Sequence, residues 1–403
     1  MPTVHFRRLS PAVAGVAAAL LTGATLCQGD VAQAASAPAP APDFVIASTM
    51  RTADGLDPMS IHSPAPGELW MLGRTADMEV AVARKVGSRW ERTVLTSYSP
   101  YIEGGTIVGT PRNMWVAANS SLWHYDGRRW KAVEVPVVGV KSRYPVSYFL
   151  DVAPAPGGAY VVYALPYENG LAHQRVGWTD GKVLKPLGTS VGQKSSLGWG
   201  RLRSQGGVLY AERMWLSGKT DVVTKLTSYD GVRWRDHGVL SRQLGSPNIH
   251  DYVDLPAWAV TPSKQNVFLG FHYASKPVVP FCRSWTPRKG FRPCTTTAVG
   301  AAATALRNNR IVAGSNAPDG PERPDLPVTF YLRDPNGKER RLTGERRGEL
   351  QQLTAEPVGP RARTQPVWAL SRTLTKQANI TDEGMYEYAT YDYTIQRYEA
   401  RLR

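Results

Sequence analysis

From Phe44 onwards the chain alternates apolar and polar positions over short runs, which is the period of strands with one buried face. One phrase recurs, a strand centred on an aromatic residue. It reads Glu68-Leu69-Trp70-Met71-Leu72-Gly73, then Asn113-Met114-Trp115-Val116-Ala117-Ala118. It returns around Tyr160, Tyr210 and Phe268, in a weaker copy around Val312, and around Trp368. The intervals between centres are 45, 45, 50, 58, 44 and 56 residues. A second phrase follows each: a strand, a turn carrying glycine, then Trp three positions after that glycine. Leu122 to Trp130 and Leu226 to Trp234 are the clearest copies, and Val82 to Trp90 lacks the aspartate. Val176 to Gly181, Lys289-Gly290-Phe291, Asn336-Gly337 and Ile395 to Ala400 are decayed copies.

Asp-Gly and Asn-Gly supply the positive φ that a tight hairpin turn demands. Each unit therefore holds a strand pair around a tight turn, preceded by the aromatic strand and by one further strand, such as Val146 to Ala153. Four antiparallel strands in a unit of about fifty residues make a propeller blade. The expected fold is all-β, a seven-bladed β-propeller of four-stranded antiparallel blades over residues 44–403. Six or eight blades stay open because the sixth unit is weak. The last unit lacks an obvious fourth strand, and Phe44 to Ser48 lacks partners before it. The N-terminal strand should therefore complete the last blade, close the ring and pair an otherwise open sheet edge.

The aromatic strands and turn tryptophans, with the glycine pairs Gly157-Gly158 and Gly206-Gly207, resemble secreted tryptophan-rich propellers. The likeness is to the kelch and galactose-oxidase central-domain group. It covers nearly all of residues 44–403 and implies architecture alone. The other units lack the glycine pair, and the sialidase-type repeat is only approximated by Ser228-Tyr229-Asp230-Gly231.

The N-terminus changes the picture of where this fold works. Arg7-Arg8 precede an apolar run from Pro11 to Leu26, and Ala32-Gln33-Ala34 offers small residues for cleavage. Residues 1–34 read as a signal peptide and 35–43 as an Ala/Pro spacer. The expected location is extracellular, with no membrane span after signal removal; Sec and twin-arginine export both stay open. Beyond Cys27 the chain has only Cys282 and Cys294, on the two arms of one expected hairpin. An even pair in an oxidising compartment reads as a disulfide.

The formal net charge is +15. Basic residues come in pairs (Arg128-Arg129, Arg340-Arg341, Arg346-Arg347) without a long basic block, so nucleic acid is not expected as a partner. An anionic cell-envelope polymer, a glycan or a protein fits better, bound by a monomer. No nucleophile elbow, zinc helix, phosphate loop or calcium loop is present, and no catalytic residue, metal or cofactor is expected.

Candidate ligand-binding residues fall in the linkers between blades. These are Tyr101, then Arg143 and Tyr144, then Trp199, then His250, Asp251 and Tyr252. Tyr98, Lys141 and Lys194 lie in the same linkers. Aromatic faces stack on sugar rings and cations attract acidic groups. The alternatives are a glycoside hydrolase using two of Glu103, Asp151, Asp251 and Asp254, or a polysaccharide lyase with Tyr252 or His250 as base and Arg143 neutralising the acid. A scaffold subunit of a secreted assembly is the third reading.

Overall fold

The computed structural model describes residues 44–402 except for 54, 97–103, 119–120, 135–147, 166–172, 189–195, 218–220, 244–252, 273–278, 298–299, 316–326, 343–345, 377–378, 381–385 and 388–389. The described chain is all β, and its main sheets form seven antiparallel blades of four strands, the expected propeller.

The first blade is built from Leu56–His62, Trp70–Thr75, Val80–Val86 and Arg89–Thr96, running from the inner to the outer strand. The second holds Gly105–Thr110, Asn113–Ala118, Ser121–Tyr125 and Trp130–Ala132. The third holds Tyr148–Ala155, Gly158–Leu165, His173–Thr179 and Leu184–Pro186. Ser196–Gln205, Val208–Ser217, Asp221–Tyr229 and Trp234–Gln243 form the fourth. Val253–Val260, Asn266–His272, Val279–Thr286 and Gly290–Pro293 form the fifth. The sixth holds Gly300–Ala305, Ile311–Ser315, Pro327–Arg333 and Glu339–Arg341, and Arg346–Arg347 pairs with its third strand. The seventh runs Glu349–Ala355, Thr364–Lys376, Thr390–Arg401, and then Phe44–Arg51 as its outer strand. A small ribbon, Asn379–Ile380 with Tyr386–Glu387, lies between its second and third strands.

The ring closes as the ends of the sequence suggest. Phe44 pairs with Ala400 and Arg51 with Thr394, so the first strand covers the edge of the last. Neighbouring inner strands touch in sequence order, and the seventh inner strand meets the first. Inner-strand side chains tie these contacts down. Gln352 of the seventh blade accepts from the Ile61 amide at 2.7 Å and donates to the Ile61 carbonyl at 3.0 Å, across to the first blade.

The aromatic strand is the second of each blade, and its centre is buried between blades. Trp70, Trp115, Tyr160, Tyr210, Phe268, Val312 and Trp368 are at most 5 % exposed. Val312 suffices in the sixth blade because three rings fill that gap. Phe44, Phe330 and Tyr398 pack with centroids 4.4 to 5.3 Å apart.

A recurring set of hydrogen bonds fixes the tryptophans. The Trp70 indole donates to Glu68 at 2.8 Å, and Arg84, its partner on the third strand, pairs with the same oxygen at 3.1 Å. Asn113 Oδ1 accepts from Trp115 and from His124, its third-strand partner, both at 2.8 Å. Glu356 Oε1 accepts from Trp368 at 2.7 Å and from Arg397, again the third-strand partner, at 3.2 Å.

The hairpin turns differ in one respect from expectation. In the Asp-Gly and Asn-Gly turns positive φ falls on the glycine alone: Gly127 at 90°, Gly181 at 87°, Gly231 at 95° and Gly337 at 92°. The preceding acidic residue is instead an acceptor. Asp126 Oδ1 takes the amides of Arg128 and Arg129, both at 3.0 Å, and Asp180 and Asp230 repeat the arrangement. The expected disulfide is formed: Cys282 lies on the third strand of the fifth blade, and Cys294 directly follows its outer strand.

Candidate functional site

Strand direction sorts the connections into two faces. Linkers between blades and connections from second to third strands emerge at one face, here the linker face. Connections from first to second strands and the glycine turns emerge at the other. Most of the proposed ligand-binding residues (Tyr101, Arg143, Tyr144, His250, Asp251 and Tyr252) lie outside the described residues, as do Tyr98, Glu103, Lys141 and Lys194.

Trp199 is described. It sits on the inner strand of the fourth blade, 8 % exposed, in the core between the third and fourth blades. Its ring lies 4.9 Å from Trp234 and 5.7 Å from the Arg213 guanidinium, and its amide donates to Gln174 at 2.6 Å. The ring is occupied in packing. Asp151 is likewise occupied. At 7 % exposure it accepts from the Thr106 hydroxyl at 2.6 Å, the Val152 amide at 2.9 Å and the Leu202 amide at 2.6 Å. Those donors span the inner strands of three successive blades. Asp151 is a staple between blades, with no lone pair directed at a substrate.

The linker face carries a described cleft of about 670 Å³ where the seventh blade meets the first. Arg51 to Ala53 and Gly55 to Asp57 of the linker, Arg74 to Ala76 and Met78 of the loop, and Tyr391 to Thr394 line it. Tyr391 and Tyr393 lie 6.3 Å apart. The Arg372 guanidinium sits 4.3 Å above the Tyr391 ring and pairs with Glu349 at 2.7 Å. Arg74 pairs with Asp57 at 3.2 Å. Burial first, and then a hydrogen bond to Asp57, raise the Tyr393 pKa, so the phenol stays protonated and donates. The cleft therefore offers two aromatic rings, donors and acceptors with charges nearly balanced, a surface suited to holding polyhydroxylated ligands.

A second cleft, of about 440 Å³, opens on the flank between the first and second blades toward the turn face. Its floor is Trp70 and Trp123, at 3 % and 4 % exposure. Tyr125 and Trp130 are partly exposed, each 5.3 Å from the other and within 5.9 Å of Trp70. Arg84, Arg128, Arg129 and Glu91 supply its charges. The sequence marks Arg128-Arg129 and Trp130 only as parts of a turn. Nothing local reports that Trp70, sixty residues earlier, lies beneath them. Among the described residues no group of three or more His, Cys, Asp or Glu could hold a metal ion, and no helix is long and apolar enough to cross a membrane.

No family model and no curated protein matches the chain. Among solved structures it is similar to the polysaccharide lyase Uly1, with a TM-score of 0.55 and 10 % identity over 86 % of this chain and 91 % of that one. A chain of the mitotic checkpoint complex matches with a TM-score of 0.48 and 11 % identity, over 95 % of this chain and all of that one. A Dyadobacter fermentans protein of unknown function matches with a TM-score of 0.46 and 9 % identity, over 89 % of this chain and all of that one. The likeness to Uly1 is one of fold.

Proposed function

We propose that the protein is a secreted, non-catalytic glycan-binding protein that holds its ligand on the linker face. The observation that carries this reading is the cleft between the seventh and first blades. Its tyrosine pair stands beside the Arg74–Asp57 and Arg372–Glu349 pairs, so it can stack on sugar rings and bond to hydroxyls. The Cys282–Cys294 bond and the export-type N-terminus support an extracellular setting. The test is sedimentation of the protein with cell walls and with a panel of neutral and acidic polysaccharides, at low and high salt, with reducing-sugar release followed in the supernatant. Salt-resistant retention without sugar release, weakened about tenfold by Tyr391→Ala, is the expected result. Retention that vanishes at high salt would reduce the interaction to net charge.

A polysaccharide lyase is the second reading, favoured by the propeller shared with Uly1. Its base (Tyr252 or His250) and its neutralising Arg143 lie outside the described residues. Appearance of unsaturated sugar ends, lost in His250→Ala or Tyr252→Phe, would replace the binding reading with this one. A scaffold would retain a protein partner and no polysaccharide.

A further inference from the structure

We propose that the flank cleft between the first and second blades is a separate binding site for an acidic glycan, a sugar chain bearing uronate carboxylates. It goes beyond the linker-face reading and uses none of its residues.

The argument is an internal comparison. The second and fourth blades carry the same hairpin, Tyr125-Asp126-Gly127-Arg128-Arg129-Trp130-Lys131 and Tyr229-Asp230-Gly231-Val232-Arg233-Trp234-Arg235. In the fourth blade the side chains of that hairpin are tied to the protein itself. The Tyr229 hydroxyl donates to the Gly231 carbonyl at 2.9 Å. The Trp234 indole donates to the Leu187 carbonyl of the third blade. Arg233 and Arg235 both pair with Asp230, at 4.0 and 2.8 Å.

In the second blade Asp126 pairs with Lys131 at 2.9 Å, as Asp230 does with Arg235, on top of its two turn amides. The other positions differ: Arg128 stands where the fourth blade has Val232, and Arg129, Tyr125 and Trp130 are left open. Among the described residues the side chains of Arg128 and Arg129 have no partner, and neither do the Tyr125 hydroxyl and the Trp130 indole N–H. All four groups line the one cleft. Its other charges are matched: Arg84 pairs with Glu68 at 3.1 Å, and Glu91 lies 3.9 Å from Arg89. The surplus is thus two guanidiniums beside two aromatic faces. Guanidinium matches a carboxylate bidentately, and the rings match the apolar face of a pyranose. The volume lies within the range of about 300–1,000 Å³ usual for small-ligand sites.

The test is a titration of the full chain with tetragalacturonate and with a neutral tetrasaccharide, cellotetraose, followed by tryptophan fluorescence in about 0.15 M salt. Saturable binding of the acidic oligosaccharide alone is expected. The double variant Arg128→Gln/Arg129→Gln should weaken it at least about tenfold, and Trp130→Ala by a similar factor. Arg233→Gln, which removes an exposed base from the matching turn, should change nothing. Among the described residues only the backbones of Arg128 and Arg129 hold the turn, and their side chains have no partner, so the double variant should keep the wild-type thermal midpoint. The proposal is overturned by absence of saturable binding, by equal binding of cellotetraose, by a double variant that binds normally, or by an equal loss in Arg233→Gln.

Discussion

Residue-level chemistry is clearest around the buried tryptophans. Glu356 is 1 % exposed, and its carboxylate receives the Trp368 indole, Arg397 and the Gly67 amide of the first blade. Removing it leaves the Trp368 indole and the Gly67 amide without an acceptor at the joint where the ring closes, and takes one of the two carboxylates that hold Arg397. Glu356→Ala should therefore cost about 3–5 kcal/mol, read as a fall in the urea midpoint, and more than Glu68→Ala, whose carboxylate is 14 % exposed. Histidines set a pH dependence. Burial is the first cause of a lowered pKa at His62, His124 and His237, all from 6.5. The unfolded chain then takes up protons first as pH falls. Stability is fully present above 6.5 and is lost as pH drops from there through the folded values. Urea midpoints should decline between about pH 7.5 and pH 5, and His62→Gln should flatten part of that decline. His62 lends itself to the test because its ring donates to the Gly109 carbonyl of the second blade at 2.9 Å, a bond an amide side chain can imitate.

At the scale of strands and turns, the sequence was read well where a local rule decides. Period-two alternation around Trp70, Trp115 and Trp368 placed the second strands, and Gly127, Gly181 and Gly231 placed the turns. The acceptor role of Asp126 is not legible locally, because a turn's positive φ and its acceptor occupy adjacent positions in the same dipeptide. Across-blade partners left no local signal: Asp151 finds Leu202 and Glu356 finds Gly67 only after the ring exists. For the same reason Trp199 read as a surface aromatic although Trp234 covers it. The disulfide was legible because its two cysteines flank one hairpin, 12 residues apart. Its reduction should lower stability by about 3 kcal/mol in the chain-entropy account, measured as a shift in midpoint with and without reductant. Gly158 shows the opposite limit of legibility. A Cβ there would collide with the Thr179 carbonyl, so Gly158→Ala should destabilise by about 1–3 kcal/mol although the glycine looks like an ordinary turn residue in sequence.

For the whole molecule, charge and closure matter most. The surplus of +15 is spread over the sequence, yet at many places it is locally neutralised, as at Arg201 with Glu212 and Arg333 with Glu339. On the reading proposed above, specificity comes from unmatched bases that stand next to rings, such as Arg128 and Arg129. Closure depends on Phe44, 2 % exposed and stacked 4.4 Å from Tyr398. Phe44→Ala should cost about 3–5 kcal/mol and broaden the unfolding transition, seen by calorimetry as loss of the sharp single peak.

That first strand also dictates an order of events. A ribosome makes Phe44 well over three hundred residues before Ala400, yet each is the other's neighbour in the finished sheet. During synthesis the earlier blades can zip up behind their own turns, since their strands follow one another in sequence. The segment from Phe44 to Arg51 has no such partner and must wait, tethered and unpaired, until the final strand is released. Closing the ring is therefore a search between the first and the last strands of the propeller, and a chain without Thr390–Arg401 would hold six sound blades around a gap.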